Sequence, residues 1–357
     1  MRVLQIGSDR SKRGILFPGT PAFERQRAYA EKFDHLDVIG FSIRSDDATE
    51  HIQGKLSVHP TNSLSKLFYG IDTLRIVRTL SKPDVISAQD PFEVGLLGLF
   101  IARRLRLPLH VQVHTDFLSP HYARHSFLNR LRVAVAGFVL RRAARVRVVS
   151  DRVKDEIISR YGLKTHIGIL PIFVDIENFR NAPRMPGLEA RFEQFKTKLL
   201  VVSRLESEKN VALAITSFAK SAPEDACLIV LGSGTERLKL KELAKKLGIA
   251  DRVFLDGEAS ARDFYPIVDL VLVTSHYEGY GLVIIEALAA GKPVLSTDVG
   301  IARAAGAIIA NEQEFPAALA QWFKGGPRTM QLNKYPYQNF DEYVRGYCDD
   351  IAACIKK

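Results

Sequence analysis

At 357 residues the chain is longer than one hydrophobic core supports, so two domains of about 150–180 residues are expected. A hydrophobic content of 46% and a charged content of 25% are ordinary for a globular protein, and no apolar run approaches the roughly 20 residues that a membrane span requires. Three cysteines (Cys227, Cys348, Cys354) make neither a CxxC pair nor a disulfide framework. With no secretory leader pattern at 1–6, the sequence predicts a cytoplasmic protein. The net charge of +10 is unevenly placed: residues 101–150 hold ten arginines against one acid, Asp116. Such a concentration fits an anionic surface, either membrane headgroups or nucleic acid.

Apolar, β-branched runs alternate with helical patterns from the start. Strands are predicted at 3–6, 38–41, 85–87, 109–113, 146–149 and 167–170. Helices are predicted at 23–33, 64–80, 92–105, 127–145 and 152–161. The alternation implies right-handed βαβ crossovers and a doubly wound parallel sheet. A proline-bearing polar run, 171–186, breaks the rhythm and places a boundary near 173. The series then restarts, with strands at 199–202, 227–231, 253–255, 270–273 and 294–296 and helices at 211–220, 236–247, 261–267 and 282–290. The expected organisation is a first domain over 1–172, a second over 173–334, and a helical segment over 335–357 that could pack on either.

Three constellations stand where a strand gives way to a turn and a helix. In the first, Ser203 and Arg204 follow a strand and Lys209 precedes a helix; a guanidinium fork, an ammonium and free helix amides together make a diphosphate cradle. Solvated charges at a helix start are the plain alternative. The second is Gly232-Ser233-Gly234, a glycine turn that tight-turn geometry explains as well as ligand contact does. The third is Glu278-Gly279-Tyr280-Gly281, followed by Leu282, Val283 and, on the helix, Glu286. A carboxylate beside close backbone amides suits the hydroxyls of a sugar.

Ser203-Arg204 with Lys209, the Gly232-Ser233-Gly234 turn, Glu278-Gly-Tyr-Gly with Glu286, and Gly291-Lys-Pro-Val together resemble the group 1 glycosyltransferases of family GT4, across most of residues 199–300. The resemblance implies the two-domain GT-B fold, two Rossmann-like sheets facing a cleft. It implies a retaining enzyme that moves a sugar from a nucleotide diphosphate sugar, a UDP- or GDP-sugar, to a glycan or lipid-linked acceptor, with no further cofactor. Arg204 and Lys209 would stabilise the departing diphosphate, and Glu278 would hold sugar hydroxyls. Amides of Gly279, Tyr280, Gly281, Leu282 and Val283 would surround sugar and phosphate, Glu286 would bind the ribose, and Asp256 with Gly257 would border the base. His114, in QVHTDFLSP at a strand end of the first domain, would reach the donor sugar across the cleft. No Asp-any-Asp triplet and no His/Cys cluster at ligand spacing occurs, so metal independence is expected.

The chain also departs from the pattern. The loop after the first strand, 8–14, has one glycine and three basic residues, so Arg13 and Gly14 would contact phosphate or an anionic acceptor. After Asp298-Val299-Gly300, Ile301-Ala302-Arg303 replace the usual second glycine and later glutamate. In the arginine-rich helix, an apolar run flanked by Arg130, Arg132, Arg141 and Arg142 suits a helix lying on anionic headgroups; a core-packed helix with basic ends is the alternative. No aromatics interleave with these arginines, which argues against nucleic acid. The expected role is polysaccharide or glycolipid synthesis, in the cytoplasm and peripherally at the inner face of the membrane. Rival activities are an NDP-sugar epimerase, a phosphorylase, or a non-catalytic membrane-attached partner subunit.

Overall fold

A computed structural model describes residues 1–9, 14–333 and 335–355. The chain divides into two compact units: one comprises 1–171 and 337–357, the other 172–336. The final segment therefore belongs to the first unit, and the boundary falls within two residues of the proline-bearing break.

The first unit runs β1 (Arg2–Gly7), α1 (Pro21–Ala30), β2 (His35–Gly40), β3 (His51–Gln53), β4 (Leu56–Pro60), α2 (Tyr69–Thr79), β5 (Val85–Ala88), α3 (Glu93–Leu105), β6 (Leu109–Val113), α4 (Pro120–His125), α5 (Phe127–Leu140), β7 (Arg145–Val148), α6 (Asp151–Tyr161) and β8 (Ile167–Ile169). Its sheet has the order β3-β4-β2-β1-β5-β6-β7-β8, parallel except for β3, which pairs antiparallel with β4. Central strands such as β1 and β5 are buried on both faces, which is why they read as continuous apolar runs rather than alternating ones.

The second unit runs α7 (Ile176–Arg180), α8 (Pro186–Arg191), β9 (Thr197–Val202), α9 (Val211–Ser221), β10 (Ala226–Leu231), α10 (Arg237–Lys246), β11 (Val253–Gly257), α11 (Ala261–Phe264), β12 (Leu270–Val273), α12 (Leu282–Ala289), β13 (Val294–Ser296), α13 (Ala302–Ala305), β14 (Ile308–Ile309) and α14 (Phe315–Gly325). The parallel sheet order is β11-β10-β9-β12-β13-β14. β9 and β12 are neighbours although α9, β10, α10, β11 and α11 separate them in sequence, and their carboxyl ends form the switch point where crossovers change direction. The core beneath is closed by Phe218, Phe315 and Trp322, where α9 packs on α14. Each such side chain contributes about 1.5–3 kcal/mol by leaving water.

The predicted helix over 127–145 is shorter. Ser126 caps the amide of Asn129, and α5 ends at Leu140. Arg145 to Val148 then form β7, pairing with β6 and β8, because the alternation of arginine with valine satisfies a strand ladder better than a helix face. The helix predicted over 64–80 begins with a 3-10 turn at Lys66–Phe68 and is α-helical only from Tyr69. Elements with no sequence expectation are the β3–β4 insertion, α4, the helices α7 and α8 in the polar run, α13, and the β14–α14 pair. The last helix, α15 (Phe340–Ala352), packs on α1. Tyr29 and Tyr347 stack there at 3.9 Å, and Tyr29 hydroxyl donates to Tyr343 hydroxyl at 2.8 Å.

Candidate active site

In the second unit, the loops after β9, β10 and β12 are tied into one surface by backbone bonds. Ser203 N–H donates to Leu231 carbonyl (3.0 Å), Leu205 N–H to Ser233 carbonyl (2.8 Å), and His276 N–H to Glu208 carbonyl (2.8 Å). Gly232 has φ +137°, and a Cβ there would sit 1.8 Å from the Ser203 carbonyl oxygen. The glycine turn is thus required first to let the β9 loop pass, which explains it without a ligand. Gly234 is similarly close to the Leu205 carbonyl, at 2.4 Å from an added Cβ.

On this surface Lys209 closes a 3-10 turn, Ser207–Lys209, and its Nζ lies 2.5 Å from Glu278 Oε1. Ser275 Oγ donates to the same carboxylate oxygen at 2.8 Å. Both partners of the ion pair are largely buried, at 15% and 20% exposure, so the attraction is poorly screened. Arg204 is the opposite: it is 72% exposed, and among the described residues its fork holds Glu208 at 2.7 Å. The structure therefore brings Arg204, Lys209 and Glu278 to the ends of two adjacent strands, from positions up to 74 residues apart. Ser203 Oγ is out of water and has no hydrogen-bond partner among the described residues.

Gly281 caps α12, and the first amides of that helix, at Leu282 and Val283, have no carbonyl within their own helix to donate to. Gly279 and Tyr280 form the preceding turn, where Ile301 N–H holds the Tyr280 carbonyl at 3.0 Å. Gly300 packs so close that an added Cβ would meet this carbonyl at 2.3 Å. The departing loop 298–303 thus serves as a brace for the Glu278 turn. Glu286 accepts from Tyr265 hydroxyl at 2.9 Å; burial raises its pKa and that bond only partly offsets the rise. Asp256 is clamped by Arg191 through two bonds of 2.6 Å, and the Gly257 carbonyl accepts from Gly232 N–H at 2.6 Å.

In the first unit, His114 follows β6 and is half-buried. Gln112 Nε2 donates to Ser87 Oγ (3.1 Å) and Tyr347 hydroxyl (2.8 Å), while Arg147 Nη1 donates to Gln112 Oε1 (2.9 Å). The Gln112 oxygen is therefore an acceptor, and His114 Nε2, 3.2 Å away, must carry the proton. Burial, and then the charges of Arg147, Arg25 and His110, push the His114 pKa down to about 3. His114 is a neutral imidazole with its Nδ1 lone pair available.

Asp90, which sequence reasoning did not single out, stands at the carboxyl end of β5 beside that of β1. It accepts from Phe92 N–H at 2.7 Å and Ser8 Oγ at 3.4 Å. Burial raises its pKa to about 6 against the lowering effect of the Phe92 bond. The available signal was an acid just past a predicted strand, in Gln89-Asp90-Pro91. Gly14 is buried and its carbonyl accepts from Thr20 Oγ at 2.9 Å; Arg13 lies outside the described residues. Arg132 turns toward Glu93 at 2.9 Å, Arg141 lies over Tyr161, Arg142 over Phe138, and Arg130 is exposed.

Two parallel-sheet domains with a polar surface at the switch point define a GT-B protein, and solved structures of that architecture match. Anabaena Alr3699/HepE, solved in complex with UDP and glucose, superposes with a TM-score of 0.70 at 19% identity, covering 100% of this chain and 97% of that one. Sucrose-phosphate synthase from Thermosynechococcus elongatus gives 0.74 at 18% identity, over 100% and 97%. The family profile described as Glycosyl transferases group 1 matches residues 189–338, and that described as Glycosyltransferase Family 4 matches 25–178. The chain belongs to the group 1 glycosyltransferases. Among its relatives, alpha-monoglucosyldiacylglycerol synthase of Streptococcus pneumoniae is 30% identical over 60% of this chain and 51% of its own length. D-inositol 3-phosphate glycosyltransferase of Gordonia bronchialis is 34% identical over 48% of this chain and 41% of its own length. The chain spans about half the length of the curated relatives it matches.

Proposed function

We propose that this protein is a retaining, metal-independent glycosyltransferase that moves a sugar from a UDP- or GDP-sugar to a glycan or lipid-linked acceptor in polysaccharide or glycolipid synthesis. The observation that carries the reading is the Lys209–Glu278 pair, set between the exposed Arg204 fork and the start of α12. Without donor, each neutralises the other. When the diphosphate enters, Lys209 and Arg204 take its charge, and Glu278 is released to accept hydrogen bonds from the sugar. The same cations then oppose the negative charge that grows on the leaving diphosphate, an interaction stronger in the transition state than in the ground state. The amides at Leu282 and Val283, which have no acceptor within their own helix, favour the same charge. Glu286, partly shielded, accepts from ribose hydroxyls. The sequence holds no Asp-any-Asp triplet to ligate a divalent ion, which supports charge neutralisation by side chains and helix amides.

The HepE complexes with UDP and with UDP-glucose, and the diacylglycerol-linked product named for the pneumococcal relative, support a UDP-sugar donor and a lipid-linked acceptor. Such an acceptor requires the enzyme to work peripherally at the inner face of the cell membrane. Calorimetric titration with UDP and GDP tests the donor site: Arg204→Ala with Lys209→Ala should weaken binding of the preferred nucleotide at least about 100-fold. Unchanged affinity would refute the cradle.

A further inference from the structure

Crossovers of the first unit divide between the two faces of its sheet. From β4 to β5, β5 to β6 and β6 to β7 the chain steps along the sheet in one direction, whereas β1 to β2 steps in the other. Right-handed connections therefore place α2, α3 and α5 on one face and α1 on the opposite face. The α1 face is closed by α15, whose Asp341, Glu342, Asp349 and Asp350 make it acidic and whose Tyr347 stacks on Tyr29.

Among the described residues, no helix covers the outer side of the α2–α3–α5 layer as α15 covers α1. Of the seventeen large apolar side chains exposed among the described residues, ten lie in these three crossovers, between 64 and 138. On α5, Phe127, Leu131 and Phe138 recur at spacings of four and seven residues and form one outward stripe, with Phe127 80% exposed. α3 packs against α5 and adds Phe100. The 3-10 turn before α2 presents Leu67, 90% exposed, and Phe68. Apolar side chains exposed across one layer in this way would be an aggregation liability unless something covers them.

The charges around it specify what. Arg103, Arg104, Arg124, Arg130, Arg141 and Arg142 are exposed on the same layer. The acids of these helices are already engaged, Glu93 by Arg132 and Asp72 by Arg75. Of the ten arginines in 101–150, only Arg145 and Arg147 are withdrawn from the layer, onto β7: Arg145 pairs with Asp350 and Arg147 is fully buried. Exposed aromatic and aliphatic side chains ringed by arginines that have no carboxylate partner among the described residues match an anionic bilayer, whose acyl boundary takes the former and whose phosphates take the latter.

We propose that the outer face of α2, α3 and α5 is a membrane-docking surface for anionic lipid, with Leu67, Phe68, Phe100, Phe127, Leu131 and Phe138 inserting and the flanking arginines holding headgroups. Its purpose rests on the lipid-linked acceptor reading, but docking itself requires no sugar transfer. The surface extends beyond the single arginine-rich helix visible in the sequence and draws in two neighbouring crossovers.

Flotation of the full chain with vesicles of phosphatidylglycerol and phosphatidylcholine, against phosphatidylcholine alone, tests this. Binding is expected only to the anionic vesicles and should weaken with salt. Two variants follow, Phe127→Asp with Leu131→Asp, and Arg103→Glu with Arg104→Glu and Arg130→Glu. Each should lower the partition coefficient at least about tenfold, with UDP affinity and melting temperature unchanged because all five side chains are exposed. Equal binding to neutral vesicles, or undiminished binding by either variant, would overturn the proposal. So would a concentration-dependent dimer, seen by light scattering, that Phe127→Asp with Leu131→Asp dissolves in a protein that ignores vesicles. Loss of sugar transfer with vesicle binding intact would instead count against the functional reading alone.

Discussion

The polar surface of the second unit and the polar network of the first are built in contrasting ways. In the second, each charged group is near a strand end in a short linear motif, and the sheet order needs only to set β9 beside β12 for Lys209 to reach Glu278. In the first, His114 acquires its state through a chain of contacts across β6, β7, β1 and α15. Arg147 fixes Gln112, Gln112 fixes the His114 proton, and Tyr347 anchors Gln112 while donating to Gln5 at 2.6 Å. One region is a set of exchangeable charges at a switch point, an exposed guanidinium beside a shielded ion pair. The other is a pre-set neutral environment whose parts are far apart in sequence.

The largest expected effect lies in the second unit. Glu278→Ala should reduce product formation by about 100- to 1,000-fold while UDP binding survives, measured by radiolabelled sugar transfer beside calorimetry. Full turnover would remove Glu278 from the site. Next, the first unit should prove far more sensitive in stability. Asp350 holds both His110 (2.9 Å) and Arg145 (2.5 Å), and Asp350→Ala leaves a buried imidazole and a shielded guanidinium without their carboxylate. A loss of about 3 kcal/mol in urea unfolding is expected at pH 7. Burial pushes the Asp350 carboxyl up, but His110 and Arg145 pull it net below its ordinary value. This stabilisation is therefore present above the ordinary carboxylate pKa and is lost as pH falls through the depressed folded value, where wild type and variant should converge.

Asp90 should show the reverse sign. Its pKa is raised from 3.8 to about 6, so ionisation destabilises the folded state as pH rises through that window. Asp90→Asn should accordingly be more stable than wild type at pH 8, by up to about 3 kcal/mol, and equal to it near pH 3. An unchanged difference across that range would show that burial does not govern this carboxyl. The smallest effect is expected for the exposed pair: Glu208→Ala should alter unfolding by less than about 1 kcal/mol, because the Arg204 partner is 72% exposed and screened by solvent. A larger loss would mean that the Arg204 fork is structurally committed rather than held ready for a ligand.

The residues that meet at the β9–β12 switch point were legible because they announce themselves locally: Arg204, Lys209 and Glu278 sit where a predicted strand yields to a turn, and Glu286 on the helix that follows. What the motifs did not reveal is that Gly232 and Gly300 are fixed by backbone approach, that Lys209 and Glu278 pair directly, and that Asp256 is clamped by Arg191 from the polar run. Asp90 was passed over because one acid beside a proline has no pattern until β1 arrives next to β5. The helix predicted over 127–145 ran too far because the turn at 141–144 that leads into β7 carries no glycine or proline to mark it.

The sequence by itself determined two alternating α/β halves, the break between them and which charged residues stand at the strand ends of the second half, since period, turn residues and strand-end motifs are properties of neighbouring residues. Only the tertiary structure decided that the last helix covers one face of the first sheet and that basic and apolar side chains from three crossovers share the other. It alone decided that His114 is neutral with its proton on Nε2. These depend on strand order, crossover handedness and burial, which arise from contacts between residues remote in the chain and leave no local periodicity to read.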